Sequence, residues 1–481
     1  MEVGRNPPKK ANVSTFFEKL PTSTADWCDV AGVTIDILPD IALLEIFDFY
    51  LDTAWIEDWH TLVHVCQRWR IVVFGSPRRL NLRLCCTITS PVKELLDVWP
   101  LLPVIVVVHS FETWCGTYGE ENIIAALEHN DRICEICCPS LPLAVLAVMQ
   151  QPFPELTRLQ LGFGTEASPD LPTSFLGGSA PRLQTLTLDC IAFRGLPKLL
   201  LSATHLVKLE IVRIPYSGYI SPESMVSGVS ALTRLERLAI GFNSPLYLPD
   251  RKGRHPQTCT LPVLTELWLM GVCEYLEDLV ARIDAPLLDN LAITIFYQPI
   301  LDTPQLTQFI SRTPKFKSHN EARVVFSDED VRVGLPQSFD GALQLAILCE
   351  RRDWQLSSLV QVCSSSFPRA FIAAVEHLYI LKDAVWDWGE DTEISQWLGL
   401  FHTFALMKDL YISQEFVPRI ALALQELVGE RVTEALPALQ SLFLEEPLPS
   451  GPVQENIEKF VAARQLAGHP ITVSCWKRTS Y

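Results

Sequence analysis

Cysteine is the residue type in this sequence that comes closest to forming a chemical site. Cys134, Cys137 and Cys138 lie close together, with Cys115 and His129 upstream. A structural zinc site needs four ligands, usually supplied by two paired knuckles. This segment has a single Cys-x-x-Cys pair, inside a predicted strand whose alternation turns Cys134 and Cys137 to opposite faces. We therefore predict no metal site and expect these thiols to be buried core cysteines.

Other catalytic patterns are absent or incomplete. The sequence has no nucleophile elbow, Walker phosphate-binding loop, Gly-x-Gly-x-x-Gly pattern or His-Glu-x-x-His motif. The acidic clusters 328–330 and 390–393 have the residue types of a general acid–base pair, but no partner histidine lies near them. We interpret them as solvated charges of loops or helix starts. The sequence therefore predicts a chain that is not an enzyme and that carries no cofactor.

The charge balance and hydropathy exclude further classes of function. The 481 residues include 39 Lys and Arg against 56 Asp and Glu, a formal net charge of −17. Affinity for nucleic acid comes largely from basic side chains, so we predict no nucleic-acid partner. The best apolar run, 101–108, is far shorter than the roughly 20 residues that span a bilayer. With no secretory signal visible, we expect reduced thiols and a location in the cytoplasm, the nucleus or both.

The first eighty residues contain a flexible tail, predicted for 1–33, followed by two short helices. The first helix opens at Leu38-Pro39, with proline at a position that favours helix starts, and apolar residues then recur with helical spacing. The second helical stretch runs from Trp59 to Val73. Two such short helices cannot bury all their apolar surface against each other. Part of that surface should therefore meet another domain or a partner chain.

The motifs in this segment resemble an F-box. The family pattern runs Leu-Pro, then Ile-Phe, then Val-Cys-x-x-Trp, and it folds as a small helical bundle. Three pieces of this sequence match the pattern in order: Leu38-Pro39, Ile46-Phe47 and Val65-Cys66-Gln67-Arg68-Trp69-Arg70. The resemblance covers about residues 34–80. It departs from the family at Ile41, where members often carry Glu, and in the Trp-rich link between the helices.

The rest of the chain repeats a Leu-x-x-Leu-x-Leu signature. Its last two apolar positions are Leu159/Leu161, Leu186/Leu188, Leu209/Ile211, Leu238/Ile240, Leu267/Leu269, Leu291/Ile293, Leu378/Ile380, Leu410/Ile412 and Leu442/Leu444. Except across the interval 291–378, the steps range from 23 residues (186 to 209) to 32 residues (378 to 410), which brackets the leucine-rich repeat. Helix-like runs separate the signatures. Each repeat needs stacked neighbours to bury its leucines, and right-handed crossovers in series give a curved parallel sheet.

These observations predict an α/β chain in which the helical F-box is followed by an irregular leucine-rich-repeat solenoid over 81–475 and a short tail, 476–481. The interval from Leu291 to Leu378 is three repeats long, and we predict two strands in it, at 322–326 and 342–348. Further strands are predicted upstream, at 104–108 and 132–137. The alternative is a doubly wound α/β domain with leucine-rich strands.

The strand positions between the buried leucines face away from the core, and their character changes along the chain. They are Gln160, Thr187 and Glu210 early, then Trp268, Tyr379, Tyr411 and Phe443. Large aromatic side chains on a solvent-facing sheet are unfavourable unless something covers them, and aromatic residues dominate interface hot spots. We predict a substrate-binding surface formed by the last four. The alternative is that the C-terminal segment 464–481 or loops between repeats cover them.

The F-box resemblance implies a function. The F-box would bind a Skp1-type adaptor, and through it the cullin of an SCF E3 ubiquitin ligase, while the solenoid holds a protein substrate for ubiquitination. The residues expected to bind Skp1 are Leu38, Pro39, Leu43, Ile46, Phe47, Val65, Cys66 and Trp69. The whole layout resembles the F-box proteins with leucine-rich repeats of mushroom-forming fungi. The alternative function is a leucine-rich-repeat scaffold that acts without a ligase.

Overall fold

The computed structural model shows an α/β chain. It describes residues 35–53, 58–108, 117–139, 143–163, 169–245, 258–317, 319–336, 342–349, 351–383, 394–429, 431–447 and 451–477. Contacts between Cα atoms divide the chain into two compact units, Met1–Leu82 and Arg83–Tyr481. Within the described ranges, no helix has the length and apolar character needed to cross a bilayer. The predicted tail 1–33 lies outside the described residues.

Among its described residues, the first unit contains three helices where the sequence predicted two. They are α1 (Asp40–Thr53), α2 (Trp59–Val65) and α3 (Gln67–Gly75), preceded by a 3₁₀ turn at Ile35–Ile37. The second predicted helix is interrupted at Cys66, whose backbone is extended (φ −157°, ψ 168°). The backbone N–H of Trp69 donates to the Cys66 sulfur at 3.4 Å. Cys66 therefore ends α2 and caps α3, because its side chain accepts from a backbone N–H in the first turn of α3.

The second unit is built on one large sheet. Its sixteen strands are β1 (Leu84–Cys86), β2 (Val104–Val107), β3 (Ile133–Cys138), β4 (Arg158–Gly162), β5 (Thr185–Asp189), β6 (Lys208–Ile214), β7 (Arg237–Phe242), β9 (Glu266–Gly271), β11 (Asn290–Phe296), β12 (Glu321–Phe326), β13 (Asp330–Pro336), β14 (Ala342–Leu348), β15 (His377–Lys382), β16 (Asp409–Ile412), β17 (Ser441–Leu444) and β18 (Thr472–Cys475). A separate parallel pair joins β8 (Cys259–Thr260) to β10 (Ile283–Asp284). Among these strands, β1 and β18 are the two ends of the large sheet.

Helices occupy most of the connections between successive strands. They are α4 (Val92–Val98), α5 (Thr117–Leu127), α6 (Leu143–Val148), α7 (Leu196–Leu200), α8 (Pro222–Val229), α9 (Cys273–Val280), α10 (Pro304–Arg312), α11 (Gln355–Ser365), α12 (Arg369–Ala373), α13 (Ile394–Thr403), α14 (Val417–Glu426) and α15 (Pro452–Leu466). Neighbouring helices contact one another, for example α8 with α9 and α9 with α10. The sheet is consequently backed by a second layer, as expected when strand–helix units are stacked in chain order.

Alternating leucines place the core on one face of the sheet. In β9, Leu267 and Leu269 are buried while Glu266, Trp268 and Met270 are not fully buried. All nine predicted signatures show the same burial of their last two apolar positions. This follows from the period of two along a strand, which sends successive side chains to opposite faces. The sequence prediction of these nine strands is therefore confirmed.

The interval between Leu291 and Leu378 departs from the parallel pattern. Both predicted strands form, as β12 and β14, but the unpredicted β13 pairs antiparallel with each of them. Only Ser327–Glu329 separate β12 from β13, and the N–H of Ser327 donates to the Asp330 carbonyl at 2.9 Å. So short a connection permits only an antiparallel neighbour, since parallel strands need a crossover of a dozen or more residues. The three strands therefore lie in reversed order, with β14 beside β11 and β12 beside β15.

A buried arginine holds the last helix in place. Arg464 of α15 is 1% exposed, and its guanidinium donates to the carbonyls of Leu436 at 3.0 Å and Leu439 at 2.8 Å. It also donates to the carbonyls of Val432 and His469. Within the described part of the chain no carboxylate pairs with it. The charge is therefore stabilised by backbone carbonyl dipoles, most of them in the segment that leads into β17. These hydrogen bonds tie α15 to that segment.

We predict that Arg464→Met loosens α15 selectively. The buried carbonyls that lose their donors are costly to leave unsatisfied, so the free energy of local opening should fall by about 3 kcal/mol. Hydrogen exchange of the α15 amides measures this opening directly. The matched control is Arg431→Met, because Arg431 is exposed and its ion pair in the described part of the chain is with Glu434, three positions further along. Equal exchange in the two variants would contradict the role assigned to Arg464.

Candidate interaction surfaces

The first candidate surface is formed by α1, α2 and α3, where distant parts of the sequence meet. Arg68 at the start of α3 donates to the Asp40 carboxylate of α1 at 2.8 Å and also to the Leu38 carbonyl. The rings of Phe47 and Trp69 lie 4.7 Å apart, tilted by 57°. These contacts join residues that are 22 to 30 positions apart in the chain, so the Leu-Pro, Ile-Phe and Val-Cys-x-x-Trp pieces are parts of one packed cluster.

The eight residues predicted to bind a partner fall into three groups by exposure. Leu43 and Phe47 are fully buried in the chain. Three more, Leu38, Cys66 and Trp69, are half-buried. Pro39 is exposed, and so are Ile46 (46% exposed) and Val65 (58%). The buried pair can only support the surface, whereas the exposed three are free of cover from the rest of the described chain.

Three further apolar residues on these helices are exposed and were missed by the sequence prediction. They are Ile41 (65% exposed), Phe49 (75%) and Ile71 (64%). At 100° per residue, Ile41 and Phe49 fall on the half of α1 that is turned away from Leu43 and Phe47, and Ile46 falls at the edge of the inner half. That arrangement could have been read from the helical spacing once Leu43 and Phe47 were assigned to the inside. An isolated helical unit gains nothing from exposed apolar side chains, so these residues are candidates for a contact surface.

The second candidate surface is the face of the large sheet opposite the buried leucines, here called the open face. Strand pairing places one residue from each of fourteen strands at the same level: Cys137, Gln160, Thr187, Glu210, Ala239, Trp268, Ala292, Gln344, Gly334, Arg323, Tyr379, Tyr411, Phe443 and Ser474. All seven outward positions predicted from the sequence lie in this row. Four strands separate Trp268 from Tyr379, however, so the four predicted aromatic residues form two separate sites.

Tyr379, Tyr411 and Phe443 form a stack of parallel rings. The ring centroids of Tyr379 and Tyr411 are 4.2 Å apart, and those of Tyr411 and Phe443 are 4.4 Å apart, with interplanar angles of 10° and 6°. The Trp476 ring packs edge-on against both tyrosines, and its indole N–H donates to the Ile412 carbonyl at 3.4 Å. The C-terminal segment therefore covers part of this stack, which was the alternative considered for these residues.

The stack also has a charged neighbour. The Arg323 guanidinium lies 5.7 Å from the centre of the Tyr379 ring, within the range of a cation–π contact. Burial raises the pKa of the Tyr379 hydroxyl to about 12, with the nearby Glu321 carboxylate adding to the effect. Burial likewise raises the pKa of Tyr411. All three rings and Trp476 are half-buried, so much of their surface is already used within the chain.

Trp268 lines a pocket of about 250 Å³ on the open face. Alanines occupy the same level on both sides of it, Ala239 in β7 and Ala292 in β11. The indole lies against Gly241, where an added Cβ would come within 2.5 Å of the ring. Glycine at this position therefore allows the indole to pack against the backbone of β7, and the small side chains of the two alanines leave space beside the ring.

Charged side chains on the early strands of the open face are paired with one another. Glu135 accepts from Arg83 and lies 3.5 Å from Arg158. Lys208 pairs with Glu210 at 2.9 Å, as Arg237 does with Glu266 at 2.8 Å. These exposed or half-exposed pairs contribute little to stability, but they leave the surface close to neutral.

The predicted cysteine cluster is only partly buried. A register irregularity in β3 leaves Cys134 as an extra residue, so Ile133 and Ile136 are both buried while Cys134 and Cys137 are half-buried. Cys138 is buried, and burial raises the pKa of its thiol to about 12. The expectation of fully buried thiols is thus correct for Cys138 and wrong for the other two, because the bulge shifts the alternation.

In the part of the chain that the structure describes, metal-ligating side chains are not grouped. Among the described residues, no three His, Cys, Asp or Glu side chains are grouped so that they could hold a metal ion. Cys115 and the acidic cluster 390–393 lie outside the described residues, and residues 328–330 form the turn and start of β13.

Neither the comparison with protein-family models nor the search of curated proteins found a match to this chain.

We predict that Tyr379 ionises late. The unfolded chain loses this proton near pH 10 and the folded chain only near 12, so the free energy of unfolding should fall as pH rises through that interval. The check is the ultraviolet titration of tyrosinate in the native protein, with the curve of Tyr379→Phe subtracted. A difference curve centred near pH 10 would contradict the packing described for the stack.

Proposed function

We propose that this chain is a non-catalytic adaptor of an SCF (Skp1–cullin–F-box) E3 ubiquitin ligase. In this proposal α1, α2 and α3 are an F-box that binds a Skp1-type subunit, and the second unit is an irregular leucine-rich-repeat solenoid that binds a protein substrate. The adaptor would hold the substrate near the ligase, raising the local concentration of its lysines, in the cytoplasm or the nucleus. The chain itself would transfer nothing.

One observation carries the proposal. The three motif pieces occur in the F-box order along the chain, and Arg68 and Trp69 pack against the Leu38-Pro39 and Ile46-Phe47 pieces in space. The same cluster leaves Ile46 and Val65 exposed. Burying apolar surface contributes about 25 cal/mol per Å², so a partner that covers these side chains gains affinity from each of them. A stable complex of this kind buries about 800 Å² on each partner.

The repeated strand–helix units support the second half of the proposal. Thirteen of the fifteen strand pairings in the large sheet are parallel, and the two antiparallel ones both involve β13. Stacked units of this kind present one long sheet face whose side chains are not needed for the core. Such a face can take up a protein segment, and its side chains can vary without loss of the fold.

We predict that Ile46→Asp and Val65→Asp each weaken binding of a purified Skp1-type subunit by about tenfold or more. Both side chains are exposed, so an added charge should leave the helices folded while placing an unpaired carboxylate in the interface. Titration calorimetry with the full chain measures the loss. Leu38→Ala combined with Pro39→Ala should act in the same direction.

The matched control is Leu466→Asp at the end of α15. Leu466 is 91% exposed and lies in the second unit, so the same change in charge should leave Skp1 binding unaltered. Circular dichroism establishes that each variant is folded. If the unaltered chain does not bind the Skp1-type subunit, the adaptor proposal is wrong and a ligase-free scaffold becomes the better account. If Ile46→Asp and Val65→Asp bind normally, the contact assignment fails.

A further inference from the structure

The pocket beside Trp268 is the feature of the open face that is best suited to receive a ligand. Ala239, Ala292 and the Trp268 indole are among the residues that line it. Polar side chains line it as well, among them Arg237, Glu266 and Gln344. The lining thus combines apolar, aromatic and hydrogen-bonding side chains, the usual composition of a binding pocket.

Its size limits what can enter. The volume of about 250 Å³ lies below the range of roughly 300–1,000 Å³ that holds drug-sized ligands. In another protein, an apolar cavity of about 150 Å³ holds a benzene molecule. The pocket is therefore large enough for one aromatic ring or branched aliphatic side chain, with room left for the adjoining backbone.

The charged side chains that line the pocket limit the ligand further. Arg237 is paired with Glu266 at 2.8 Å, and Glu210, which also borders the pocket, is paired with Lys208 at 2.9 Å. A charged ligand would lose hydration on entry and would have to break one of these pairs to find a counter-charge. An uncharged apolar side chain loses no such hydration. The Gln344 amide in the lining is suited to hydrogen-bond the backbone of the segment that carries it.

We propose that the Trp268 pocket binds a protein segment by taking up one of its uncharged aromatic or large aliphatic side chains. The inference rests on the proposed function in assigning the segment to the substrate of the adaptor. In this proposal Trp268 is a contact residue. Gly241 is a positioning residue, because it keeps the indole down and the pocket open.

The probes for this proposal are N-acetyl amino-acid amides of phenylalanine, leucine, lysine and glutamate, titrated into the full chain. Isotope-labelled alanine methyl groups report the contact, and Ala239→Val and Ala292→Val assign the two signals. We expect the phenylalanine and leucine amides to shift both methyl signals, with dissociation constants in the millimolar range. The lysine and glutamate amides should leave them unshifted.

Two variants test whether the signals report the pocket. Gly241→Ala should push the indole away from β7 and weaken binding of the phenylalanine amide by about tenfold. Ala292→Leu should fill the pocket directly with its larger side chain. The control is Gly334→Ala, which adds the same methyl group to another strand of the open face, where the new Cβ would lie 4.0 Å from the Leu343 carbonyl oxygen. It should bind as the unaltered chain does.

The proposal is overturned if no amide shifts the Ala239 and Ala292 signals. It is also overturned if the charged amides bind as well as the apolar ones, or if Gly241→Ala and Gly334→Ala behave alike. None of these measurements involves the Skp1-type subunit. Failure of the pocket and failure of the adaptor proposal are therefore separate results.

Discussion

Each strand of the second unit can bury one of its faces only if a neighbouring strand–helix repeat is stacked beside it. Leu267 and Leu269 of β9 are buried because β7 and β11 flank the strand and the helix layer lies behind it. Each such leucine contributes roughly 1.5–3 kcal/mol when it is withdrawn from water, so a repeat without neighbours would not be stable. The last repeats have a neighbour on one side only and need other contacts to hold them. Arg464 and Trp476 supply such contacts, because they tie α15 and the end of β18 to backbone carbonyls of earlier segments.

The open face is under no such requirement, and its side chains differ from one end of the sheet to the other. Parallel pairing in register nevertheless constrains it, because strands lie about 4.8 Å apart and residues at one level must meet. Aromatic residues at one level on three adjacent strands consequently stack, as Tyr379, Tyr411 and Phe443 do. Where alanines flank an aromatic residue, as at Trp268, the same geometry leaves a pocket. The sizes of the side chains at one level of the sheet thus decide whether the open face has a packed stack or a pocket there.

The helices of the first unit illustrate the opposite situation, in which a unit is too small to bury both sides of its elements. Leu43 and Phe47 use the inner half of α1, while Ile41 and Phe49 are on the other half and Ile46 is exposed at the boundary between the two. These exposed apolar side chains are the physical basis for proposing a partner, and the family resemblance of the motifs says which kind of partner to test.

The sequence by itself determined which face of most strands is buried, because leucines that alternate with polar residues can occupy a strand in only one way. It also predicted helix-like runs between the strands, where helices form, and it merged α2 and α3 into one stretch because the cap at Cys66 leaves no strong signal. Only the tertiary structure decided that β13 exists and reverses the order of β12 and β14, that Trp476 reaches across two tyrosines, and that Gly241 lies beneath Trp268. A periodic pattern records how each segment divides its surface between core and water. Which segments become neighbours depends on contacts between residues far apart in the chain, and no local pattern encodes those contacts.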